Sequence, residues 1–332
     1  MNFAVIGTGY WGSNHARVAC ELRSEGIVDE VVLCDRDEER VSTLAAEYDV
    51  EYVTDHGDLE SQVDAAVVAT PSTTHASVAT DLLESGIDCL VEKPLALTSD
   101  SAWDIVKTAR RTNRTLAVGH IFRYHPALQE LKSRLDRGEL GQIKYLNTNR
   151  FSFRAPRQTS GVLHQLAVHD IDIYRYLLGE HPDRVYCNLS SWIRDDVEET
   201  AALVLDYGKT VGTINESWQV PVFGKQRELV VVGTERAAYL DYLEDTVLEL
   251  YDARIQQSGD DIHAIEEGAM TYEADPCEPL RAEVLDFLDS IRTNTAPLAS
   301  GDIGANAVEL LEIAQESDRT GRAISVERPL RG

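Results

Sequence analysis

The chain has 332 residues, enough for two domains, and a chain of this size buries roughly three quarters of its unfolded surface. Its 43% hydrophobic and 27% charged content is that of a soluble globular protein. The charge is not ordinary: 57 acidic against 31 basic residues, only six of them lysine, leave a net −26. Such a surface repels nucleic acid and anionic membranes, which argues against both as partners. No run approaches the ~18 apolar residues that span a bilayer, and the chain opens on a strand without a basic or cleavable leader. Cys20, Cys34, Cys89, Cys187 and Cys277 are odd in number and widely spread, with no C-x-x-C pair. They read as reduced, buried thiols rather than disulfides or a metal site, and a cytoplasmic location is expected.

In the first 120 residues, short apolar runs alternate with helical spacing. Strands are predicted at 3–6, 31–34, 51–53, 65–69, 89–91 and 116–119, with helix stops such as Gly26 and Gly86. This alternation predicts an α/β, doubly wound parallel sheet, whose ligands bind at the carboxyl ends of the strands. The first strand runs into Gly7-Thr8-Gly9-Tyr10-Trp11-Gly12, a Gly-x-Gly-x-x-Gly turn followed by a helical pattern. The glycines suit a tight turn, close approach to a pyrophosphate and close helix–strand packing. Asp35 ends the second strand, where a carboxylate accepts hydrogen bonds from the adenosine ribose and repels a 2′-phosphate; a turn residue in an acidic run would look the same. Arg36 beside it would soften that preference for NAD over NADP. The fourth strand ends at Thr70-Pro71 with His75 following, and the fifth at Glu92-Lys93-Pro94. A scarce lysine at a strand's carboxyl end reads as functional, although a solvated turn lysine is the alternative.

The pattern then changes. A helix is predicted over 126–137, a long strand over 142–153 and a helix over 161–178. Extended runs follow at 184–192, 200–205, 210–218, 228–232, 237–240 and 247–251, and two helices close the chain at 278–292 and 302–317. Successive strands without helices between them predict a mostly antiparallel sheet in an α+β domain. Segment 253–276, acidic and poor in large apolar residues, reads as a loop. On the 161–178 helix, Gln165, His169 and Asp172 fall at i, i+4 and i+7 on one face. A neutral histidine can take a hydroxyl proton and a carboxylate can fix its tautomer; a merely solvated polar face has the same spacing. Residues 105–129 and 140–169 contain no acid but carry Lys107, Arg110, Arg111, Arg114, Arg123, Lys144, Arg150, Arg154 and Arg157. In so acidic a chain these stretches suggest anion-accepting sites, one for a cofactor and one for a negatively charged substrate.

Taken together, Gly7–Gly12, Ala69-Thr70-Pro71 with His75, Glu92-Lys93-Pro94, Gly119-His120 with Arg123, and 161–178 with His169-Asp170-Ile171-Asp172 resemble the glucose-fructose oxidoreductase / inositol dehydrogenase (Gfo/Idh/MocA) family over essentially the whole length. Residues 118–126, 153–157 and 166–172, with Val232-Gly233-Thr234 and Glu278-Pro279-Leu280, are most like the UDP-N-acetylglucosamine 3-dehydrogenase subgroup. The resemblance implies a Rossmann domain over 1–121 and a substrate-binding α/β domain over 122–332. The open sheet of the second would form a homodimer or homotetramer. It implies NAD (NADP less so) held by Gly7, Thr8, Gly9, Tyr10, Trp11, Gly12, Asp35, Arg36, Thr70, Pro71, His75, Glu92 and Lys93. It also implies catalysis by Lys93 and His169 in a cleft between domains, with Gln165, Arg123 and Tyr124 at the sugar and Arg154 and Arg157 at its diphosphate. Gln165 stands where the family often has aspartate, and glutamine can hold no charge. The expected activity is NAD-dependent oxidation of a sugar or nucleotide sugar, foremost the 3-hydroxyl of a UDP-N-acetylhexosamine. Oxidation of a free sugar or inositol-type polyol, or a non-catalytic dinucleotide-binding regulator, are the alternatives.

An acidic, lysine-poor coat also suggests a protein that works inside the cell in high salt. Thermal unfolding in rising KCl is expected to show the melting temperature climbing into the molar range; greatest stability in low-salt buffer would contradict this.

Overall fold

Six strands, five of them short apolar runs buried along their whole length, make the first sheet. In chain order, with their helices, they are β1 (Phe3–Ile6), α1 (Tyr10–Ser24), β2 (Val31–Cys34), α2 (Glu38–Tyr48), β3 (Glu51–Val53), β4 (Ala65–Val68), α3 (His75–Glu84), β5 (Asp88–Val91), α4 (Ser99–Thr112) and β6 (Leu116–Val118). The strand order is β3-β2-β1-β4-β5-β6, all parallel. Double burial explains the continuous Val/Leu/Ala runs, since helices cover both faces. The order reverses between β1 and β4, which is where such sheets open a crevice for ligands. Helix ends follow local chemistry: Asp37 caps α2 by accepting from the Arg40 N–H, Thr98 caps α4, and Asn113 closes α4 in the left-handed region. The structure is a computed structural model and describes residues 1–156, 160–222 and 224–327.

The second sheet has nine strands. Its elements are α5 (Pro126–Asp136), β7 (Ile143–Ser152), α6 (Val168–Leu178), β8 (Arg184–Ser190), β9 (Thr200–Asp206), β10 (Val211–Ser217), β11 (Lys225–Gly233), β12 (Ala237–Asp241), β13 (Val247–Ser258) and β14 (Asp261–Glu273), then α7 (Pro279–Thr293), α8 (Gly301–Thr320) and β15 (Ile324–Ser325). The order is β14-β13-β12-β11-β7-β10-β9-β8-β15, antiparallel except where β7 meets β10. Alternating burial along β8, β9 and β10 gives this sheet one covered and one open face. α6 lies on the covered face. The Tyr174 ring takes the space that a side chain at Gly212 would fill, and its hydroxyl donates to the Thr213 carbonyl at 2.7 Å.

Three expectations are corrected. Segment 253–276 is not a loop: most of it forms the second half of β13 and all of β14, paired through the two-residue turn Gly259-Asp260 with Gly259 at φ +63. Nearly every side chain of β14 is exposed, so the hairpin forms by backbone pairing without the apolar alternation that marks a half-buried strand. The helix expected over 161–178 is α-helical only from Val168, because Leu163–Ala167 is a π turn. Of the cysteines expected to be buried, Cys277 is exposed while the other four are buried, and all five are free thiols.

Contacts divide the chain into two units. Among the described residues the first joins Met1–Ile121 to Leu280–Glu309; the second holds Phe122–Pro279 and residues 310–327. The sequence reading put 280–309 with the second domain. α7 instead buries Leu280, Val284, Phe287 and Leu288 among Phe3, Val5, Ala19 and Leu33 of the first unit, with the Phe3 and Phe287 rings 6.5 Å apart. Among the described residues no helix is long and apolar enough to cross a membrane. Phe287→Ala is expected to cost about 3–5 kcal/mol, the range for a fully buried phenylalanine, read as a lower urea midpoint for the first unit.

Candidate active site

In the first unit, β1 hands the chain to α1 through Gly7, held at φ +86. A Cβ there would stand 2.8 Å from the Ala69 and Thr70 backbone, and one at Gly12 would stand 1.6 Å from the Gly7 carbonyl oxygen. At Gly9 a Cβ would meet nothing within 4 Å, so open space lies over the turn. α1 starts without a side-chain cap or an acid in its first turn. Its leading N–H groups are left for an anion. The residues fit a dinucleotide's pyrophosphate.

Asp35 lies at the end of β2 with Thr8. One carboxylate oxygen accepts from the Thr8 N–H (2.7 Å) and hydroxyl (2.9 Å), and the other from the Asp37 N–H (3.0 Å). Burial works to raise its pKa, but the Asp37 and Thr8 donors and the Arg40 charge outweigh it and hold the carboxyl below its usual range. The cation beside Asp35 is Arg40, at 3.3 Å, which also pairs with Asp37 at 2.7 Å. Arg36 is exposed and Arg40 was not foreseen; its place one turn into α2 was the available signal.

At the end of β5 the chain turns through Glu92, Lys93 and a cis Lys93–Pro94 bond. The Glu92 side chain is buried. It takes a 2.9 Å hydrogen bond with His15 Nε2 of α1 and accepts the Lys93 N–H at 3.2 Å. Burial raises the Glu92 pKa, and the His15 hydrogen bond with the charges of His15, Lys93 and His75 more than reverses this. Behind it, Glu283 of α7 is buried, and burial with the neighbouring Glu92 and Asp286 charges pushes its carboxyl well up. His75 is a tie between loops: its ring nitrogens lie 2.8 Å from the Thr70 carbonyl and 2.9 Å from the Pro94 carbonyl. Tyr10 and Trp11 pack edge to face at 5.6 Å at the start of α1.

The second unit gathers its chemistry around α6. His169 is nearly buried, and its ring meets Phe122 edge to face at 5.0 Å. Phe122 and Tyr242 enclose the Arg150 guanidinium, 4.5 and 4.6 Å from the ring centres, and Arg150 Nε donates to Asp170 at 2.6 Å. Two residues along, Asp172 takes three hydrogen bonds from Arg123 at 2.7–3.0 Å, and Tyr176 lies under that guanidinium at 5.1 Å. Both aspartates are buried, so the polar residues of this helix are not a solvated stripe. Arg123 and Tyr124, expected at the sugar, are buried as well, and Arg123 is committed to Asp172. The π turn moves Gln165 off the α-helical phase of His169, and its amide donates to Ser160 Oγ at 2.5 Å. Arg154 is exposed beside Trp218, 5.2 Å from its ring. Arg157 lies outside the described residues. Sequence reasoning missed Phe122, Asp170 and Tyr242 as partners of Arg150, for nothing in their spacing joins β7, α6 and the end of β12.

A glycine turn at β1, a carboxylate at β2 and a lysine at the end of β5 define the first unit as the nucleotide-binding part of an oxidoreductase. The comparisons agree. Residues 1–120 match the GFO_IDH_MocA oxidoreductase family with its NAD-binding Rossmann fold, and residues 128–239 match the GFO/IDH/MocA C-terminal domain. The chain belongs to the Gfo/Idh/MocA family and is an NAD-dependent oxidoreductase. It is 30% identical to a UDP-N-acetylglucosamine 3-dehydrogenase of Acidithiobacillus ferrooxidans over 92% of this chain and 93% of that one. The solved structure of that organism's enzyme superposes with a TM-score of 0.82 at 26% identity, covering 96% of this chain and 98% of that one. GenD2 from gentamicin A biosynthesis, solved in complex with NAD, is similar at TM-score 0.82 and 25% identity, covering 98% and 96%. A myo-inositol 2-dehydrogenase of Thermotoga maritima is 24% identical over 98% of this chain and 99% of its own.

His125 caps α5, accepting the Leu128 N–H at Nδ1, and its Nε2 lies 3.5 Å from Asp245. Burial brings its pKa from 6.5 down to about 4, with Asp245 opposing and Arg150 adding to the fall. Below pH 6.5 the unfolded chain therefore binds a proton that the folded chain refuses until about pH 4, and stability is lost as pH drops through that window. A displacement of this size corresponds to roughly 3 kcal/mol. His125→Asn retains a capping side chain without the titration, and its unfolding free energy is expected to fall less than wild type between pH 6.5 and 4.

Proposed function

We propose that this protein oxidises a secondary hydroxyl of a nucleotide sugar, with the 3-hydroxyl of a UDP-N-acetylhexosamine as the reacting group. The observation that carries this reading is the similarity, across nearly the full length of both chains, to a UDP-N-acetylglucosamine 3-dehydrogenase. The exposed Arg154, with no carboxylate against it among the described residues, supports a substrate that brings negative charge. In this reading the hydroxyl proton goes to His169, and stabilisation of the developing charge is assigned to Lys93. NAD, when bound, supplies the acceptor for the hydride that leaves the carbon. The alcohol thus loses one proton to His169 and one hydride, and becomes a ketone. Gln165 orients the sugar and carries no proton, so the exchange rests on two residues rather than three. The open face of the nine-stranded sheet, with Tyr145, Tyr186 and Val204 exposed, is our candidate surface for a homodimer or homotetramer.

Similarity to the myo-inositol enzyme favours a second reading, oxidation of an uncharged polyol. Inhibition separates the two: UDP is expected to compete with a nucleotide sugar and to leave polyol oxidation untouched. Lys93→Ala and His169→Ala are each expected to lower kcat by ~10²–10⁴ while NAD affinity, followed by fluorescence, stays at the wild-type value. Near-normal turnover in both variants overturns the assignment.

A further inference from the structure

The covered face of the nine-stranded sheet carries a row of charge. In register, Glu216 of β10 lies beside Arg150 of β7, and Arg227 of β11 lies on the other side of Arg150. Residues paired directly across strands project to the same face. Burial at Leu146 and Thr148 on β7, and at Leu229 and Val231 on β11, shows that this face is the inner one. Arg150 is buried and answered by Asp170 and two aromatic rings. Arg227 is half-buried, and no carboxylate among the described residues lies within ion-pair distance of its guanidinium. Burial first, then the repelling charge of Arg150 and least that of Arg154, pull its pKa down against the opposing charges of Asp170 and Glu216. A half-buried guanidinium beside Arg150, with no carboxylate of its own at ion-pair distance among the described residues, gains from an anion. Its planar fork suits a phosphate, which takes two parallel N–H bonds.

We infer that Arg227, with Arg154, seats the diphosphate of the nucleotide sugar, while Arg150 stays with Asp170. This rests on the nucleotide-sugar reading above and adds a residue that lies outside both acid-free stretches of the sequence. Specificity would follow from the same chemistry: an uncharged polyol leaves Arg227 unanswered, and a nucleoside without phosphates does too.

The experiment is calorimetric titration of the full-length protein, saturated with NAD, with UDP and separately with uridine, for wild type, Arg227→Gln and Arg227→Lys. UDP affinity is expected to fall roughly tenfold to a hundredfold in Arg227→Gln, the loss of a charge-assisted hydrogen bond, and less in Arg227→Lys. Uridine binding should not change. With UDP-N-acetylglucosamine, KM should rise more than kcat falls. UDP affinity within twofold of wild type in Arg227→Gln, with NAD binding intact, overturns the inference; if that variant does not fold, wild-type UDP affinity in Arg227→Lys does so. A wild-type protein that ignores UDP yet oxidises a polyol removes the nucleotide-sugar reading itself, and this is seen before any variant is made.

Discussion

The second unit is built around a positive charge taken out of water. Arg150 has almost no exposed surface, and its charge is met by one carboxylate oxygen of Asp170 and by the faces of Phe122 and Tyr242. Buried pairs of this kind add little net stability compared with apolar residues of the same volume, but removing one partner costs about 3–5 kcal/mol. Such a pair is better understood as a fixed joint. It ties β7 to α6, and the residue before Asp170 is His169. The Phe122 ring that covers Arg150 also meets the His169 imidazole, so one desolvated cation settles both the helix and the ring that packs on the histidine. Arg123 and Asp172 repeat the device two residues later on the same helix.

The first unit solves its problem by omission. Where the second uses charge to hold side chains in place, the turn after β1 works because two side chains are missing. The carbonyl of Gly7 occupies the space beside Gly12, and the Ala69–Thr70 backbone occupies the space beside Gly7. The open position between them, at Gly9, leaves the helix N–H groups uncovered. Asp35 is fixed by the chain around it, since Thr8 and Asp37 hold both of its oxygens. Less ordering is then left to be done on binding.

These two strategies differ in how much of them a sequence displays. The glycine turn, the doubly buried strands and Lys93 after β5 were legible because they depend on neighbours in the chain: an apolar run, a turn residue, a proline. The α6 helix was legible in place but not in phase, because a π turn changes neither hydrophobic content nor length by an amount that spacing detects. The β13–β14 hairpin was missed because exposed strands need no apolar period. Arg150 stood out only as one of several basic residues in an acid-free stretch. Its partners come from three separate elements, and Arg227 reached it solely through the register of β11 on β7. The pairing of Arg123 was hidden for a similar reason, since its position beside Gly119-His120 says nothing of Asp172, 49 residues away.

α7 reaches the first unit from near the far end of the sequence. As the chain leaves the ribosome, the strands of the NAD-binding sheet emerge long before Leu280, Val284, Phe287 and Leu288, which cover Phe3, Val5 and Ala19. For most of synthesis that face of the sheet has only α1 and α2 on it, and the nine-stranded sheet is translated before α7 joins them. The usual N-terminal-first order of domain folding therefore cannot run to completion here. The nucleotide-binding unit finishes folding only after residues 280–309 have been made, and the part of its core that α7 fills stays uncovered until then.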